Sequence, residues 1–335
     1  MFENQSVLIT GGTGSFGRKF VEVALQKCRP RRLIIFSRDE LKQHEMRHRF
    51  PDSPDSPMRY FLGDVRDRER LHRAFRDVEV VVHAAALKQV PACEYNPFEA
   101  VQTNIIGAKN VIDAAIDCGV KKVMAISSDK AVNPVNLYGA TKLCAEKLFV
   151  QGNSYAGSTG LRLSCCRYGN VVASRGSVVP VFLEQRKSGT LTLTDRRMTR
   201  FWLTLGQGVN FVLRCIGKMQ GGEIFVPKVP SMKVKDIARL LAPGCKVNYV
   251  GIRPGEKLHE VLVSKDEAGR TLQTKDMFII QPAFSWWGTS NWKGAKRVKD
   301  GFAYSSDKNP QWWNDRSFLE LVQDSVREKA GGAGE

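Results

Sequence analysis

Short apolar runs with β-branched residues recur through the first half of the chain, each separated from the next by helical periodicity. Ser6 to Thr10 (SVLIT) is the first run, and it ends on a glycine cluster. From Ser15 a helical pattern follows, with Phe16, Phe20, Val23 and Ala24 on one face. Leu33 to Phe36 reads as a second buried strand and Asp39 to Phe50 as an exposed helix. Further strand-like runs lie at Arg59 to Leu62, Val78 to His83, Lys122 to Ser127 and Leu161 to Cys166. Helical stretches fall at Phe98 to Cys118 and Tyr138 to Gln151. Strands that are apolar throughout and alternate with helices predict a parallel sheet covered on both faces.

That pattern is α/β, a doubly wound Rossmann-type parallel sheet. After about residue 170 the rhythm loosens. Gly169 to Pro180, Gly189 to Arg200 and Gly251 to Glu260 are rich in Gly, Pro, Thr and Arg and suit ligand-contacting loops. The expected organisation is a nucleotide-binding domain over 1–170 and a smaller C-terminal substrate-binding lobe over 171–320, interleaved with the last sheet elements. A C-terminal tail follows over 321–335, with Lys329 to Glu335 reading as frayed. There is no internal repeat or low-complexity segment.

Composition narrows the class. Hydrophobic residues are 42% and charged residues 25% of the 335, which is ordinary for a globular chain and excludes disorder as the default. The eight cysteines form no CxxC pair and no Cys/His ligand spacing, so free thiols are expected, with neither a disulfide framework nor a metal site. The first strand starts almost at the N-terminus, leaving no room for a secretory signal. No apolar run reaches membrane-spanning length. The expectation is a soluble, cytoplasmic protein without a membrane partner. The formal charge of +17 fits nucleic acid, an anionic surface or a phosphate-rich small substrate, and equally a well-solvated basic chain, since Lys and Arg are spread throughout.

Candidate chemistry begins at Thr10-Gly-Gly-Thr-Gly-Ser-Phe-Gly17, where Gly11, Gly14 and Gly17 follow the first strand and open a helix. Gly11 permits the tight turn, Gly14 lets a pyrophosphate approach the backbone, and Gly17 lets the helix pack on the sheet. Thr13, Ser15 and Phe16 complete the loop, and the positive end of the helix faces the phosphates. The second strand ends at Ser37-Arg38, where an NAD site usually places an acidic side chain. A hydroxyl followed by a guanidinium suits a 2′-phosphate instead, and Lys42 stands one helical turn further on as a second cation. NADP is therefore the expected cofactor; the competing reading leaves Arg38 solvated and turns Asp39 inward. Asp64-Val65 would flank the adenine, and Ala84 begins an alanine run that leaves room beside the cofactor.

The most specific stretch is Ser127-Ser128-Asp129-Lys130-Ala131 followed by Tyr138-Gly-Ala-Thr-Lys142. The first group sits at the carboxyl end of the fifth strand, where open α/β sheets hold ligands. Tyr138 and Lys142 share a helix face. A neighbouring ammonium and a cationic nicotinamide both favour the phenolate, so Tyr138 becomes a base for a sugar hydroxyl, and Ser128 can bond the same hydroxyl. Asp129 and Lys130 add an acid and a base that a plain dehydrogenase does not need. Oxidation to a ketone acidifies the adjacent C–H, so a base can take that proton while an acid expels a hydroxyl as water. Lys130 would need a depressed pKa, from cation neighbours and burial. A structural Asp129–Lys130 ion pair is the alternative.

On these residues the chain resembles the extended short-chain dehydrogenase/reductase family, and within it the inverting UDP-N-acetylglucosamine 4,6-dehydratases that begin pseudaminic acid biosynthesis. The similarity runs from the glycine loop to about Trp313. It is carried by SRDELKQ (Ser37 to Gln43), MRYFLGDVRD (Met58 to Asp67), DKAVNPVNLYGATK (Asp129 to Lys142), RYGNVVASRGSVVP (Arg167 to Pro180), TDRRMTRFW (Thr194 to Trp202) and IRPGEKLHE (Ile252 to Glu260). The resemblance implies Asp129 as acid, Lys130 as base at C5, Tyr138 acting at the C4 hydroxyl and Lys142 supporting it and holding the nicotinamide ribose. It also implies that Lys88, Asn170, Thr194, Met198, Arg253 and Glu256 line a UDP-sugar pocket, with Arg175 near cofactor and substrate. Tightly held NADP+, inversion at C5 and a homo-oligomer follow from the same resemblance. The chain departs from the family pattern at Ser128, where threonine is usual, at Gln89, where histidine often follows the lysine, and at Ala173, where glycine is usual.

Two rivals remain within the enzyme class: a UDP-sugar 4-epimerase, which needs Tyr138 and Lys142 but not the Asp-Lys pair, and a dehydratase that also epimerises C3. From another class, a non-catalytic Rossmann module binding RNA or protein would use the basic aromatic segment Trp286 to Lys299 (WWGTSNWKGAKRVK). The more ordinary reading of that segment packs its tryptophans on the domain and exposes its lysines, and no nucleic-acid partner is expected.

Overall fold

A computed structural model describes residues 2–172, 177–283 and 292–330. Strands β1 (Ser6–Thr10), β2 (Arg32–Ser37), β3 (Met58–Leu62), β4 (Val80–His83), β5 (Lys122–Ser128) and β6 (Arg162–Tyr168) stand in the order β3-β2-β1-β4-β5-β6. Every neighbouring pair is parallel. Helices α1 (Ser15–Lys27), α2 (Glu40–Arg49), α3 (Arg68–Ala74), α4 (Val90–Tyr95), α5 (Pro97–Val101), α6 (Gly107–Asp117) and α7 (Leu137–Tyr155) fill the connections. Parallel strands covered on both faces have no solvent side, and Val7, Leu8, Ile9, Leu33, Ile35, Val81, Val82, Val123 and Leu163 are all fully buried. The doubly wound sheet expected from the apolar runs is present. Because β1 pairs with both β2 and β4, the chain reverses direction across the sheet there. A crevice opens beyond the carboxyl ends of those strands.

The sheet continues past β6 with Ile224–Pro227, parallel to it, and then with Met277–Ile280, Thr271–Gln273 and Lys296–Arg297, all antiparallel. Among the described residues it has ten strands. Between these late strands the chain builds a second, smaller core of Val179, Phe182, Leu191, Leu193, Trp202, Met232, Ile237, Leu241 and Phe318. Lobe and sheet thus alternate along the sequence. The stretch from 321, expected as a tail, instead belongs to a helix over Asp315–Ala330. Its Phe318 and Val322, one turn apart, are buried in the second core, with Phe318 edge-on to Trp202 at 5.9 Å.

Helix boundaries differ from the periodicity in one informative place. Phe98 to Cys118, expected as one helix, divides into α5, a π-helical turn at Gln102–Ile106, and α6. The wide turn carries Asn104, whose amide donates to Leu87 O and Thr141 Oγ1 while its carbonyl accepts from Leu87 N, each at 2.8 to 3.0 Å. Such turns are common at functional sites, and this one ties the strand end after β4 to α7. Of the basic aromatic segment, residues 286–291 lie outside the described residues. Trp292 packs edge-on to Phe225 at 5.6 Å, and Lys296 and Arg297 are exposed on the edge strand.

A buried ion network joins sheet, helix and lobe. The Arg167 guanidinium at the end of β6 meets Glu146 of α7 at 2.6 Å and Glu267 at 3.0 Å, with the Arg167 and Glu146 side chains 1% exposed. Removing one member leaves uncompensated buried charge. Arg167→Leu is expected to destabilise the fold by about 3–5 kcal/mol, read as a lowered urea midpoint at unchanged slope.

Candidate functional site

The carboxyl ends of β1, β2, β4, β5 and β6 surround a cleft of about 640 Å³. Its cofactor half is formed by Gly11, Thr13, Gly14, Ser15 and Phe16, by Ser37, Arg38, Asp39 and Lys42, and by Asp64, Val65 and Ala84. Gly11 has a φ of 68°, a left-handed turn that disfavours a side chain. A Cβ there would also stand 2.9 Å from the Ala85 backbone. Gly17 lines no part of the cleft; a Cβ on it would fall 2.2 Å from Gly12 O, so it sets the packing of α1 beneath the loop. The N-cap of α1 is Gly14, which brings no capping side chain, and the helix carries no acidic residue in its first turn. That end of the helix can therefore take an anion. Thr10 Oγ1 fixes the switch point by bonding His83 Nδ1 at 2.9 Å and accepting from Ala84 N at 3.2 Å.

The residues fit a nicotinamide dinucleotide. Besides the glycine cradle, Thr103 Oγ1, Ser127 Oγ and Asn170 Oδ1 are buried polar atoms without partners among the described residues, and all three residues line the cleft. Such atoms are costly unless a ligand satisfies them. At the end of β2 the cations are partly balanced. Lys42, expected as a second free cation, pairs with Asp39, which also caps α2 by accepting from Lys42 N at 3.0 Å. Arg38 stays over half exposed, 3.7 Å from Asp64.

The catalytic candidates Ser128, Asp129, Lys130, Tyr138 and Lys142 all line the other half of the cleft. β5 ends at Ser128, a single 3-10 turn carries Asp129 and Lys130, and α7 begins just before Tyr138. Asn136 caps α7 by accepting from Gly139 N at 2.7 Å. Gly139 is required there, since a Cβ would lie 2.3 Å from Lys130 O. Asp129 is 1% exposed, accepts from Ser128 Oγ at 2.8 Å, and takes Lys130 Nζ on both oxygens at 3.0 Å.

Two expectations about charge are corrected. Burial alone would lower the Lys130 pKa, but Asp129 and Glu260 outweigh it and hold the ammonium above its ordinary range. Lys130 was expected to be depressed because its cation neighbours were counted and its anion neighbours were not. Burial likewise pushes the Tyr138 phenol up to about 12, opposed by a hydrogen bond with Ser128 and by the charge of Lys130. Lys142, expected to support the phenolate, donates to Ile126 O at 2.6 Å. Burial lowers its pKa.

The substrate candidates divide. Lys88 and Asn170 line the cleft, whereas Thr194, Met198, Arg253 and Glu256 do not. Thr194 Oγ1 lies 2.9 Å from Met198 Sδ, and Arg253 reaches Glu256 at 4.0 Å. Arg253 and Glu256 lie on the loop at 252–258, which docks on the start of α7 through Asn136 Nδ2 donating to Gly255 O at 2.7 Å. Arg175 and Ala173 lie outside the described residues, and Gln89 forms the N-cap of α4 without a side-chain bond.

The residue missed from sequence is Glu260, whose Oε1 stands 3.1 Å from Lys130 Nζ and 3.5 Å from Arg200 Nε. It ends the IRPGEKLHE motif, but no local spacing connects it to Lys130.

A family model described as "Polysaccharide biosynthesis protein" matches residues 7–282. A relative from Campylobacter jejuni subsp. jejuni serotype O:2, named UDP-N-acetylglucosamine 4,6-dehydratase (inverting), is 52% identical, covering 96% of this chain and 98% of its own. The chain belongs to this polysaccharide biosynthesis family. Within the same similarity, a UDP-glucose 4-epimerase from Rickettsia canadensis is 41% identical over 84% of each chain. The crystal structure of Pen from Bacillus thuringiensis superposes with a TM-score of 0.89 at 37% identity, covering 97% of this chain and 99% of its own.

Gly17→Ala is expected to lift α1 off the phosphate loop. Titration calorimetry with NADP+ and NAD+ should show binding weakened at least about tenfold, a loss of roughly 1.4 kcal/mol.

Proposed function

We propose that this chain is an NADP-dependent inverting dehydratase that converts UDP-N-acetylglucosamine to a UDP-2-acetamido-2,6-dideoxy-4-keto-hexose with epimerisation at C5, the first step of pseudaminic acid-type nucleotide-sugar synthesis. The observation that carries it is the Asp129–Lys130 pair in the same cleft as Tyr138 and the glycine loop. The relative from Campylobacter jejuni, similar over nearly its whole length, supports the reaction class. A homo-oligomer in the cytoplasm belongs to the same reading. Among the described residues no helix is long and apolar enough to cross a membrane.

A bound nicotinamide, held by Gly11, Gly14 and Ser15 and reached by Tyr138 and Lys142, would supply reversible hydride acceptance between the sugar C4 and C6. The remaining chemistry falls to the side chains. The Tyr138 phenol must first give up its own proton, which its desolvated setting opposes and positive charge beside it favours, and the phenolate then takes the C4 hydroxyl proton. Lys130 removes the proton at C5, made acidic by the C4 ketone, Asp129 protonates the C6 hydroxyl oxygen, which leaves as water, and a solvent-derived proton is added back at C5 on the opposite face as hydride reaches C6. Ser128 orients Asp129, and Lys142 and Asn136 fix the start of α7 against β5 and the lobe loop. Lys88 and Arg253 offer cations for the diphosphate.

The epimerase reading is favoured by the Rickettsia relatives, and the product separates the two. Incubated with UDP-N-acetylglucosamine in D2O without added cofactor, the purified protein is expected to give a 6-methyl, 4-keto sugar carrying deuterium at C5 in the proton NMR spectrum. An epimerase would leave the hydroxymethyl group intact and introduce no solvent deuterium. Lys130→Ala should slow product formation by roughly 10²–10⁴-fold while dinucleotide stays bound. A fully active variant would remove Lys130 from the role of base. Arg38→Ala should lower affinity for NADP+ by about tenfold and leave NAD+ affinity unchanged, the loss of a charge-assisted bond of about 1.5 kcal/mol or more.

A further inference from the structure

The dehydratase reading leaves unexplained a third charged group in the reacting cluster. We propose that Glu260 is a positioning residue for the Asp129–Lys130 pair, which holds the Lys130 ammonium from the C-terminal lobe and sets the pH window in which the pair carries one proton. This rests on the dehydratase reading.

Glu260 is built to stay in place. Its side chain is 2% exposed. Its N–H donates to Ser306 Oγ at 2.9 Å and its carbonyl accepts from Ser306 N at 2.8 Å. One carboxylate oxygen meets Lys130, while Oε2 is buried without a partner among the described residues. A buried carboxylate with an unmatched oxygen is a poor structural element. Arg200 does not require it, since that guanidinium already donates to the carbonyls of Thr199, Leu258 and Lys257 at 2.8 to 3.1 Å. The shorter of the two ion-pair contacts of Glu260 is with the amine of the proposed base, at 3.1 Å against 3.5 Å to Arg200.

Proton counting shows what such a contact controls. The proposed reaction starts from neutral Lys130 and protonated Asp129. Moving one proton from Nζ to a carboxylate oxygen breaks an N–H bond, forms an O–H bond and cancels both charges. The ion pair in the structure and the reactive pair are therefore tautomers with the same number of protons. One proton more leaves no base, and one fewer leaves no acid, so activity is confined between two boundaries of pH. A nearby negative charge raises both boundaries and a positive charge lowers both.

The groups that face the pair come from several elements. Ser128 and Tyr138 belong to the end of β5 and the start of α7, and Cys93 of α4 acts on Tyr138. Arg200 lies on the strand Thr199–Leu203, and Lys257 and Glu260 come from the lobe loop and its end. His259 is engaged with Thr199 at 2.8 Å. Among these groups Glu260 is the carboxylate that comes from outside the pair.

The test is the pH profile of kcat for keto-sugar formation by the full-length protein, with KM measured alongside. In Glu260→Gln, both limbs should move to lower pH by about one unit or more, with KM for UDP-N-acetylglucosamine changed less than about threefold. Limbs that stay at the wild-type pH, whether kcat is full or reduced, would overturn the proposal, since a merely structural role lowers the rate without moving the limbs. If circular dichroism shows Glu260→Gln unfolded, Arg200→Gln decides. Loss of the opposing charge should then move both limbs to higher pH, and unmoved limbs overturn the inference. Absence of keto sugar from the wild-type protein is the separate result that sinks the dehydratase reading itself, and this role with it.

Discussion

The contact on which the site depends is the partly buried ammonium of Lys130 between the buried carboxylates of Asp129 and Glu260. Taking these charges out of water costs several kcal/mol per ion, and their attraction repays it only with close geometry and further hydrogen bonds. The chain meets that condition in part, leaving Glu260 Oε2 without a partner among the described residues, by bringing pieces from distant elements together. The end of β5 delivers Asp129, with Ser128 bonded to it, while the lobe delivers Glu260, pinned through Ser306. Lobe and sheet need each other at this point. Without the lobe, the Asp-Lys pair would be a partly exposed ion pair of small value.

The same division of labour runs through the cleft. Groups that would do chemistry sit on a strand end and the first turn of a long helix, where packing fixes them. Gly139 brings α7 against the Lys130 carbonyl more closely than any side chain would allow. Groups assigned to the sugar nucleotide, such as Thr194 and Arg253, stand on loops that a rigid scaffold presents. The orphaned oxygens of Thr103, Ser127 and Asn170 show the converse cost. Their desolvation is tolerated in the fold and becomes useful when a polar ligand satisfies them.

How far this was legible in the sequence follows from the range of each signal. Fully buried parallel strands leave continuous apolar runs, so Ser6 to Thr10 and Lys122 to Ser127 could be located without any tertiary information. Turn chemistry and helix spacing are equally local, and they brought the glycine loop and the Tyr138–Lys142 pair into view. The charge state of Lys130 was not legible, because it depends on Glu260, which approaches only after the lobe has folded back. The π-helical turn at Gln102–Ile106 answers to Asn104 bonding across to Leu87 and Thr141, contacts that no periodicity encodes. Residues 321–330, the later turns of the helix over Asp315–Ala330, were read as tail because they are mostly polar, with few apolar anchors such as Val322.

The excess of positive charge also takes on a different meaning once the structure is known. Many surface cations are neutralised locally, as Arg18 is by Glu45, Arg66 by Asp64 and Glu99, and Arg239 by Asp315. Exposed pairs of this kind contribute little to stability. Lys88, by contrast, lines the cleft, and burial lowers the pKa of its amine. A half-buried amine held off its ordinary range is a strained arrangement unless an anion approaches. A phosphate arriving there offsets the desolvation of the amine, gains a charge-assisted bond, and is favoured further by the net charge of +17. For a phosphate-bearing substrate, the global field would raise the encounter rate while the buried amine rewards arrival. A neutral sugar would gain from neither, which makes the nucleotide diphosphate, more than the hexose, the part of the proposed substrate that this cleft is electrostatically suited to hold.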